Sequence, residues 1–313
     1  MTKLDDIPGV AIEGLAAYVP PRLIANDENV AKATGIATRR VAEDGETALD
    51  LCVRAAETLF AETGVNRDDF GAVVSVSFTQ HDRMPCSACQ AQARLGLPKG
   101  IVAFDVMQAC AGYGYGLYLS ALLARQTGRK VLLLDGDRQS EFLDSSDAAT
   151  SPLLGDAGTA TIVVPAEGAT SWKFAFASDG EKGDALRLEN GGSIRMDGFG
   201  VFRFVATDVV AYLKSFLPSA VPDGGDFLFV PHQANVYMVR QLAKAVGISE
   251  DRLLVSADRF GNLSSASIPV TLATHAEAAR GRRVILAGFG GGLSVALGMI
   301  GIGHTAKMIV VNG

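Results

Sequence analysis

The stretch AFDVMQACAGYGYG, residues 103–116, decides the fold. It begins inside an apolar run, residues 101–107, that predicts a buried strand, and it continues into a helical pattern over residues 111–125. Cys110 lies between the two. A buried strand followed at once by a helix is the repeating unit of α/β proteins, whose active sites lie at the carboxyl ends of the strands. The sequence therefore predicts an α/β fold with Cys110 at such a strand end.

The same alternation extends in both directions from this stretch. Further strands are predicted at residues 72–78, 130–135, 159–164, 226–230, 253–257 and 283–288, and further helices at residues 85–95, 234–246 and 264–279. The uncharged run over residues 284–303 is long enough to span a membrane, but its seven glycines favour two buried strands around a tight turn. We therefore expect no membrane partner.

The order of elements repeats in the second part of the chain. GRKV at 128–131 and GRRV at 281–284 lie 153 positions apart, and Cys110 and Asn262 lie 152 positions apart. An internal duplication would bring the strand-to-helix turns of both halves to one shared crevice. We predict two halves, residues 1–165 with the nucleophilic Cys110 and residues 166–313 with His232 and Asn262. Chance self-similarity of an α/β chain explains the matched order of five elements less well.

Charge and composition exclude several classes of function. The net charge is −6, the pI is near 5.3, and no basic run exceeds two residues, which argues against a nucleic-acid partner. The first 14 residues carry no apolar secretory core, so we expect a cytoplasmic location. Cys86 and Cys89 form a lone C-x-x-C that lacks the further ligands of a zinc site. A redox pair remains an alternative, but reduced thiols on a helix are the favoured interpretation, with no metal bound.

Three residues lie where chemistry is expected. Cys110 opens a helix whose dipole would favour the thiolate, although a buried structural cysteine fits the same position. His232, in FVPHQAN, follows a strand and precedes a helix, although a lone histidine is more often structural. Asn262, in RFGNLSSAS, could donate hydrogen bonds to an enolate oxygen or could be an ordinary turn residue. Gly290, Gly291 and Gly292 would let the backbone approach a substrate carbonyl.

Taken together, these segments resemble the β-ketoacyl-acyl carrier protein synthase III branch of the thiolase superfamily. The resemblance rests on AFDVMQACAGYGYG at 103–116, GDAGTAT at 155–161, VPHQAN at 230–235, DRFGNLSSASI at 258–268 and AGFGGGL at 287–293, in this order. It covers nearly the whole chain. It implies a five-layered αβαβα thiolase fold built from two duplicated halves, and a homodimer.

The resemblance also implies a ping-pong reaction. Cys110 would accept an acyl group from a thioester, and the N–H groups of Cys110 and Gly292 would form the oxyanion hole. A malonyl-type thioester would then lose carbon dioxide, and His232 and Asn262 would stabilise the enolate that attacks the acyl group. No metal or redox cofactor is needed, because coenzyme A or a phosphopantetheine arm carries the substrates. The residues expected around the substrate are Met84, from the neighbouring subunit, with Tyr113, Gly290 and Gly291.

The sequence departs from the family where coenzyme A is normally clamped. Asn29 and Ala33 stand where a Trp and an Arg are usual, and residues 148–154 lack the second Arg. We therefore hypothesise that the acyl donor is held differently or is delivered by an acyl carrier protein. Arg240 and Lys244, with Lys214, are the residues expected to dock such a carrier, although an ordinary solvated face is the alternative.

Two other functions are possible within the same resemblance. A relative that transfers acyl groups to a hydroxyl or amine often lacks the Asn, so Asn262 favours carbon–carbon bond formation. A non-catalytic subunit of a heteromeric synthase would be expected to lose Cys or His, and both are present. We therefore predict a condensing acyltransferase of a specialised fatty-acid or polyketide type of pathway.

Overall fold

The computed structural model describes all residues, 1–313. The strands are β1 Thr2–Lys3, β2 Val10–Val19, β3 Arg22–Ala25, β4 Thr38–Val41, β5 Phe70–Val76, β6 Val102–Val106, β7 Lys130–Arg138, β8 Asp156–Pro165, β9 Lys173–Ser178, β10 Leu186–Arg187, β11 Arg195–Met196, β12 Phe227–Pro231, β13 Arg283–Gly290, β14 Ser294–Gly301 and β15 Lys307–Asn312. The helices are α1 Glu28–Thr34, α2 Ala48–Thr63, α3 Ser87–Arg94, α4 Gly112–Thr127, α5 Gly198–Phe204, α6 Val210–Ala220, α7 Val236–Ala245, α8 Ala257–Phe260, α9 Ser267–Thr274 and α10 Ala276–Ala279.

Two main sheets form the framework. One has six strands in the order β15-β2-β8-β7-β5-β6, and the other has five in the order β1-β9-β14-β13-β12. In the first sheet β5 pairs in parallel with both β6 and β7, and β7 pairs antiparallel with β8. In the second, β12 and β13 are parallel and β13 and β14 antiparallel. Both sheets therefore carry a parallel pair followed by an antiparallel partner, as a duplication requires.

Three apolar clusters fill the spaces around the sheets. The largest lies between the sheets and contains residues of α4 and α9, such as Leu117 and Leu272. A second packs α6 and α7 on the five-stranded sheet, and a third packs α2 and α3 on the six-stranded sheet. The order of layers is thus helix, sheet, helix, sheet, helix, which confirms the predicted five-layered αβαβα thiolase fold.

Local sequence explains where the long helices begin and end. Thr47 and Asp50 form a reciprocal capping box at the start of α2, and Gly64 ends it in a left-handed conformation, φ 64°. Gly128 ends α4 in the same way, φ 66°. Because α4 lies between the two sheets, it is apolar on nearly all sides rather than along one stripe.

Most predicted elements are present within a few residues of their expected bounds. The strand predicted over residues 253–257 is wrong, because only one parallel bridge, Leu253 with Phe229, forms there and α8 already begins at Ala257. The side chain of Gln233 explains the difference, since its Oε1 accepts from the Ser256 N–H and ties this segment down without a sheet ladder. The helix predicted over residues 264–279 is divided into a short 3₁₀ turn, α9 and α10.

The uncharged run near the C-terminus forms two neighbouring strands. Residues 284–303 lie in β13, a glycine turn and β14, which pair antiparallel from Arg283 with Gly301 to Gly290 with Ser294. No helix in the chain has the length and apolar character needed to cross a bilayer.

The two predicted halves exchange their terminal strands. β8 ends at Pro165, the last residue of the predicted first half. However, β1 from the start of the chain pairs with β9 in the second sheet, and β15 from the end pairs with β2 in the first. Each sheet is therefore completed by a strand from the other half.

Candidate active site

One apolar cavity opens at the carboxyl ends of the parallel strands. Its volume is about 320 Å³, and both Cys110 and Asn262 line it. Its other lining residues are Phe78, Met107, Gln108, Ala109, Gln139, Thr150, Leu154, Leu186, Arg187, Leu188, Ile194, Met196, Gly291 and Gly292. Five of these lie in the segment 180–200, so this polar, glycine-rich segment covers part of the site.

Cys110 is held at the start of α4 by a strained backbone. It lies in a 3₁₀ turn, Ala109–Ala111, between β6 and α4, and Ala109 has a positive φ of 38°. Such a conformation costs an L-residue on the order of 1–2 kcal/mol and is common at reactive positions. Gly290 packs directly against the cysteine, since a Cβ there would lie 3.0 Å from Sγ. This contact explains why the end of β13 is glycine-rich.

Burial disfavours the charged form of the Cys110 thiol. Burial raises its pKa to about 12, and the buried Asp137 carboxylate acts in the same direction. Desolvation therefore opposes the thiolate that the dipole at the start of α4 would favour. The N–H of Gly291 and the hydroxyl of Ser264 oppose the shift and lie beside the sulfur. Attack by Cys110 must therefore be coupled to loss of its proton.

His232 follows β12 and is almost completely buried. Burial lowers its pKa to about 4, so the ring is neutral at physiological pH. Its Nδ1 lies 2.9 Å from the Ser267 hydroxyl and 3.1 Å from the Ser264 carbonyl oxygen, and its ring meets Phe289 edge-on. Nε2 makes no hydrogen bond within the chain, and His232 itself is not among the residues that line the cavity.

Asn262 presents amide hydrogens to the cavity. Its Oδ1 accepts from the Ser264 N–H at 2.9 Å, which assigns the amide orientation and leaves Nδ2 free. Its backbone is fixed by Leu153 and by Gln139, whose Nε2 donates to the Asn262 carbonyl at 2.8 Å. The group that faces the cavity is therefore a hydrogen-bond donor, as stabilisation of an enolate oxygen requires.

Ser264 contacts all three candidate catalytic residues. Its N–H holds Asn262, its carbonyl oxygen faces His232, and its hydroxyl lies beside Cys110. A left-handed backbone, φ 54°, makes this arrangement possible. The hydroxyl is buried and lowers the pKa of both Cys110 and Asp137, yet it makes no hydrogen bond of standard geometry with either. The sequence analysis missed this residue, since a positive φ at a serine leaves no pattern in the sequence.

Two buried carboxyl groups of β7 lie behind the site. Asp137 Oδ1 accepts from the hydroxyls and N–H groups around Ser77, Phe78 and Thr79, and burial raises its pKa to about 6. Burial also raises the pKa of Asp135 well above its usual range, and Ser265 donates to it. The second oxygen of each carboxyl has no partner.

The other predicted site residues are divided between two environments. Gly291 and Gly292 line the cavity. The Gly291 N–H lies beside the Cys110 sulfur, whereas the Gly292 N–H donates to no group of the chain and is available for the predicted oxyanion hole. Tyr113 does not line it: as part of α4 it points into the core, fully buried, with its hydroxyl 3.2 Å from that of Thr161. Met84 also lies outside it and is 87% exposed.

The basic residues predicted to dock a carrier lie on two helices. Arg240 and Lys244 are on α7 and Lys214 is on α6, and all three are exposed. Arg240 is ion-paired with Glu250 at 2.8 Å, so its charge is partly neutralised. The surface therefore offers two free lysines rather than a dense basic patch.

Comparison with known proteins identifies the family. The family model of 3-oxoacyl-[acyl-carrier-protein] synthase III matches residues 104–180, and that of its C-terminal part matches residues 227–302. A β-ketoacyl-[acyl-carrier-protein] synthase III of Ruegeria pomeroyi is 31% identical over 310 residues, covering 90% of this chain and 96% of that one. The chain belongs to the β-ketoacyl-[acyl-carrier-protein] synthase III family.

Solved structures of this family have the same fold. A 3-oxoacyl-(acyl-carrier protein) synthase of Burkholderia xenovorans superposes with a TM-score of 0.92 at 31% identity, covering 100% of this chain and 99% of that one. A priming β-ketosynthase of a polyketide pathway superposes with a TM-score of 0.83 at 26% identity, covering 96% and 98%. The synthase III family consists of condensing acyltransferases, and this chain is an enzyme of that type.

Proposed function

We propose that this synthase III homologue acylates itself on Cys110 and then condenses the acyl group with a malonyl-type thioester. The observation that carries the proposal is the position of Ser264. Its N–H donates to Asn262, its carbonyl oxygen faces His232, and its hydroxyl lies beside the Cys110 thiol. Cys110 and Asn262, from distant parts of the sequence, line one apolar cavity, and Ser264 links His232 to both of them. Such an arrangement suits two successive reactions at one carbonyl carbon.

In the first half-reaction the Cys110 sulfur attacks the thioester carbonyl. The oxyanion accepts from the N–H groups of Cys110 and Gly292, the bond to the carrier sulfur breaks, and the thiol proton moves to that departing sulfur. Because the buried site disfavours charge, we propose that proton transfer accompanies attack rather than precedes it.

In the second half-reaction a malonyl-type thioester loses carbon dioxide. The enolate oxygen accepts hydrogen bonds from Asn262 Nδ2 and from His232, and the enolate carbon attacks the acyl group on Cys110. The carbon–sulfur bond breaks, a β-ketoacyl thioester leaves, and the cysteine sulfur regains a proton from water. These steps consume no redox equivalent and use no metal. The phosphopantetheine arm is part of the substrate.

The acyl donor is proposed to arrive on an acyl carrier protein rather than as free acyl-CoA. Thr150, Leu154, Ile194 and Met196 line the cavity and offer no charge to a nucleotide, and the one arginine in the lining, Arg187, is paired with Asp184 and Glu189. Lys244 and Lys214 are the basic residues left to meet a carrier. The apolar lining suits a hydrocarbon acyl chain.

A homodimer belongs to the same proposal. β6 ends the six-stranded sheet with a free edge, and Val102 at its start is 41% exposed. An exposed apolar edge strand normally pairs with another chain. Met84, exposed and close in sequence to α3, would then enter the partner's pocket. A cytoplasmic location is also proposed, because a free-thiol nucleophile needs a reducing compartment.

The test is intact-protein mass after incubation with acyl-CoAs and acyl-carrier proteins. We expect a gain of one acyl group in the wild type and none in Cys110→Ala. In Asn262→Asp, a negative oxygen replaces the amide donor, so we expect condensation to fall at least about 100-fold while self-acylation falls less than about 10-fold. Acylation of the Cys110→Ala protein, or equal losses of both half-reactions in Asn262→Asp, would contradict these roles.

A further inference from the structure

The hydroxyl of Ser267 lies between the backbone and the imidazole of His232. Ser267 opens α9 and is completely buried, with 0% exposure. Its Oγ lies 2.9 Å from His232 Nδ1 and accepts from the Gln233 N–H at 3.2 Å. The reaction proposed above gives Ser267 no role, although it lies in the segment 258–268 that carries part of the family resemblance.

The hydroxyl proton of Ser267 has one acceptor. The Gln233 N–H is a donor and occupies a lone pair of Oγ, so the only atom in reach that can accept the hydroxyl proton is His232 Nδ1. If Nδ1 carried a proton in the neutral ring, the Ser267 O–H would be buried without a partner. Such a group costs about 1–3 kcal/mol.

The Ser264 carbonyl oxygen does not depend on a proton at His232 Nδ1, because it has another hydrogen-bond donor. It lies 3.1 Å from Nδ1, but it already accepts from the N–H of Ser267 at the end of the 3₁₀ turn. An imidazole with a bare Nδ1 therefore leaves no buried polar group unsatisfied, whereas one with a protonated Nδ1 leaves the Ser267 hydroxyl unsatisfied. The chain of donors runs from Gln233 N–H to Ser267 Oγ and from Ser267 O–H to His232 Nδ1.

We propose that Ser267 is a positioning residue that holds neutral His232 in the tautomer with its proton on Nε2. This inference rests on the proposed function, because it gives His232 a hydrogen to donate to the enolate oxygen, beside the amide hydrogens of Asn262. It also assigns His232 as a hydrogen-bond donor and not as the base that receives the Cys110 proton.

The direct test is ¹⁵N NMR of the histidine rings in the whole protein. The chain has four histidines, so His232→Gln assigns the signals of His232. At pH 7.5 we expect the wild-type signals of a neutral ring protonated on Nε2. In Ser267→Ala the ring loses the donor to Nδ1 and can donate from Nδ1 to the Ser264 carbonyl, so we expect the pattern to invert. A wild-type ring protonated on Nδ1, or an unchanged pattern in Ser267→Ala, would overturn the proposal.

Activity supplies a second readout. We expect Ser267→Ala to lower the rate of decarboxylative condensation by about 10- to 100-fold, while self-acylation changes less than about threefold. Ser267→Thr keeps the hydroxyl and should restore condensation in part. Ser120→Ala, which removes another completely buried serine hydroxyl far from the cavity, is the matched control and should change neither half-reaction. Equal losses in both half-reactions would indicate a structural role only.

The two proposals fail separately. If the protein acylates no residue with any donor, the proposed function fails, yet the tautomer of His232 is still measured by NMR. If condensation proceeds but the ring is protonated on Nδ1, only the role of Ser267 is overturned.

Discussion

The carboxyl group of Asp137, near Cys110, is buried, and burial opposes its ionisation. Asp137 is fully buried with one oxygen satisfied by four donors and the other by none. Its carboxylate raises the pKa of Cys110, so it does not help to form a thiolate. The charge therefore makes the native state less stable when Asp137 is ionised.

This cost has a defined dependence on pH. The pKa of Asp137 rises from 3.8 to about 6 on folding, so the native state binds more protons than the unfolded chain between these values. Above pH 6, ionisation of Asp137 lowers the free energy of unfolding by about 3 kcal/mol, and this loss disappears as the pH falls below 4. We expect Asp137→Asn to unfold at higher urea concentration than the wild type at pH 8, with about half that gain in free energy at pH 5.

The control for Asp137→Asn is the same substitution at an exposed carboxylate. Asp5→Asn, at an exposed position, removes a carboxylate without changing a buried network and should show no such pH dependence. A stability difference for Asp137→Asn that is the same at pH 8 and pH 5 would mean that Asp137 is ionised in the native protein at both pH values, so that burial does not raise its pKa into this range.

The sequence singled out three residues that the structure brings together, but not the serines that link them. Cys110, His232 and Asn262 could be found because each follows a strand or turn that meets the shared crevice. Ser264 and Ser267 could not be found, since their roles depend on a positive φ and on the direction of a single hydroxyl. Tyr113 was placed in the pocket wrongly, because the direction of a side chain on a fully buried helix has no periodic signal.

Among the elements, the end of β13 sets the position of the nucleophile. A Cβ at Gly290 would lie 2.7 Å from Cys110 Cβ and 3.0 Å from Sγ, closer than such atoms approach in proteins. We expect Gly290→Ala to displace Cys110 and to lower the rate of self-acylation at least about 10-fold, with a loss of about 1–3 kcal/mol in stability. The measurement is acylation by mass spectrometry, together with urea unfolding.

Gly303 provides the matched control for this substitution. It lies just beyond β14, and a Cβ there would meet no atom within 4 Å. Gly303→Ala should therefore keep both the acylation rate and the stability of the wild type. Full activity in Gly290→Ala would show that the backbone can move away from Cys110 at little cost.

Strands and helices could be predicted from the sequence where the pattern of apolar side chains alone determines them. Apolar runs gave the central strands β5, β7, β12 and β13, because strands buried on both faces are apolar throughout. The segment after Leu253 also looks like a strand, but the Gln233 side chain takes the place of ladder hydrogen bonds there. Which backbone N–H finds which partner is a tertiary property and leaves no local pattern.

At the scale of the whole molecule, the free edge of β6 predicts association. Lys on an edge strand opposes pairing with another chain, because its charge must be buried or displaced. We expect wild-type protein to have the mass of a dimer, and Val102→Lys to shift it toward the monomer at micromolar concentration. Light scattering coupled to size-exclusion chromatography measures both.

The control is another exposed apolar residue on a different strand. Leu23 lies on β3 and is 50% exposed, so Leu23→Lys makes the same chemical change away from the β6 edge. It should leave the dimer intact. A monomeric wild type, or a Val102→Lys protein as dimeric as Leu23→Lys, would rule out β6 as the interface.

The exchange of terminal strands has an evolutionary consequence. A duplicated gene can often be divided again, because each copy once folded alone. Here a break between residues 165 and 166 would leave one fragment without β15 beside β2 and the other without β1 beside β9. Neither fragment would contain all the strands of its sheet. The exchange therefore makes it hard to divide the two halves of the gene again, because each half needs a strand that the other encodes.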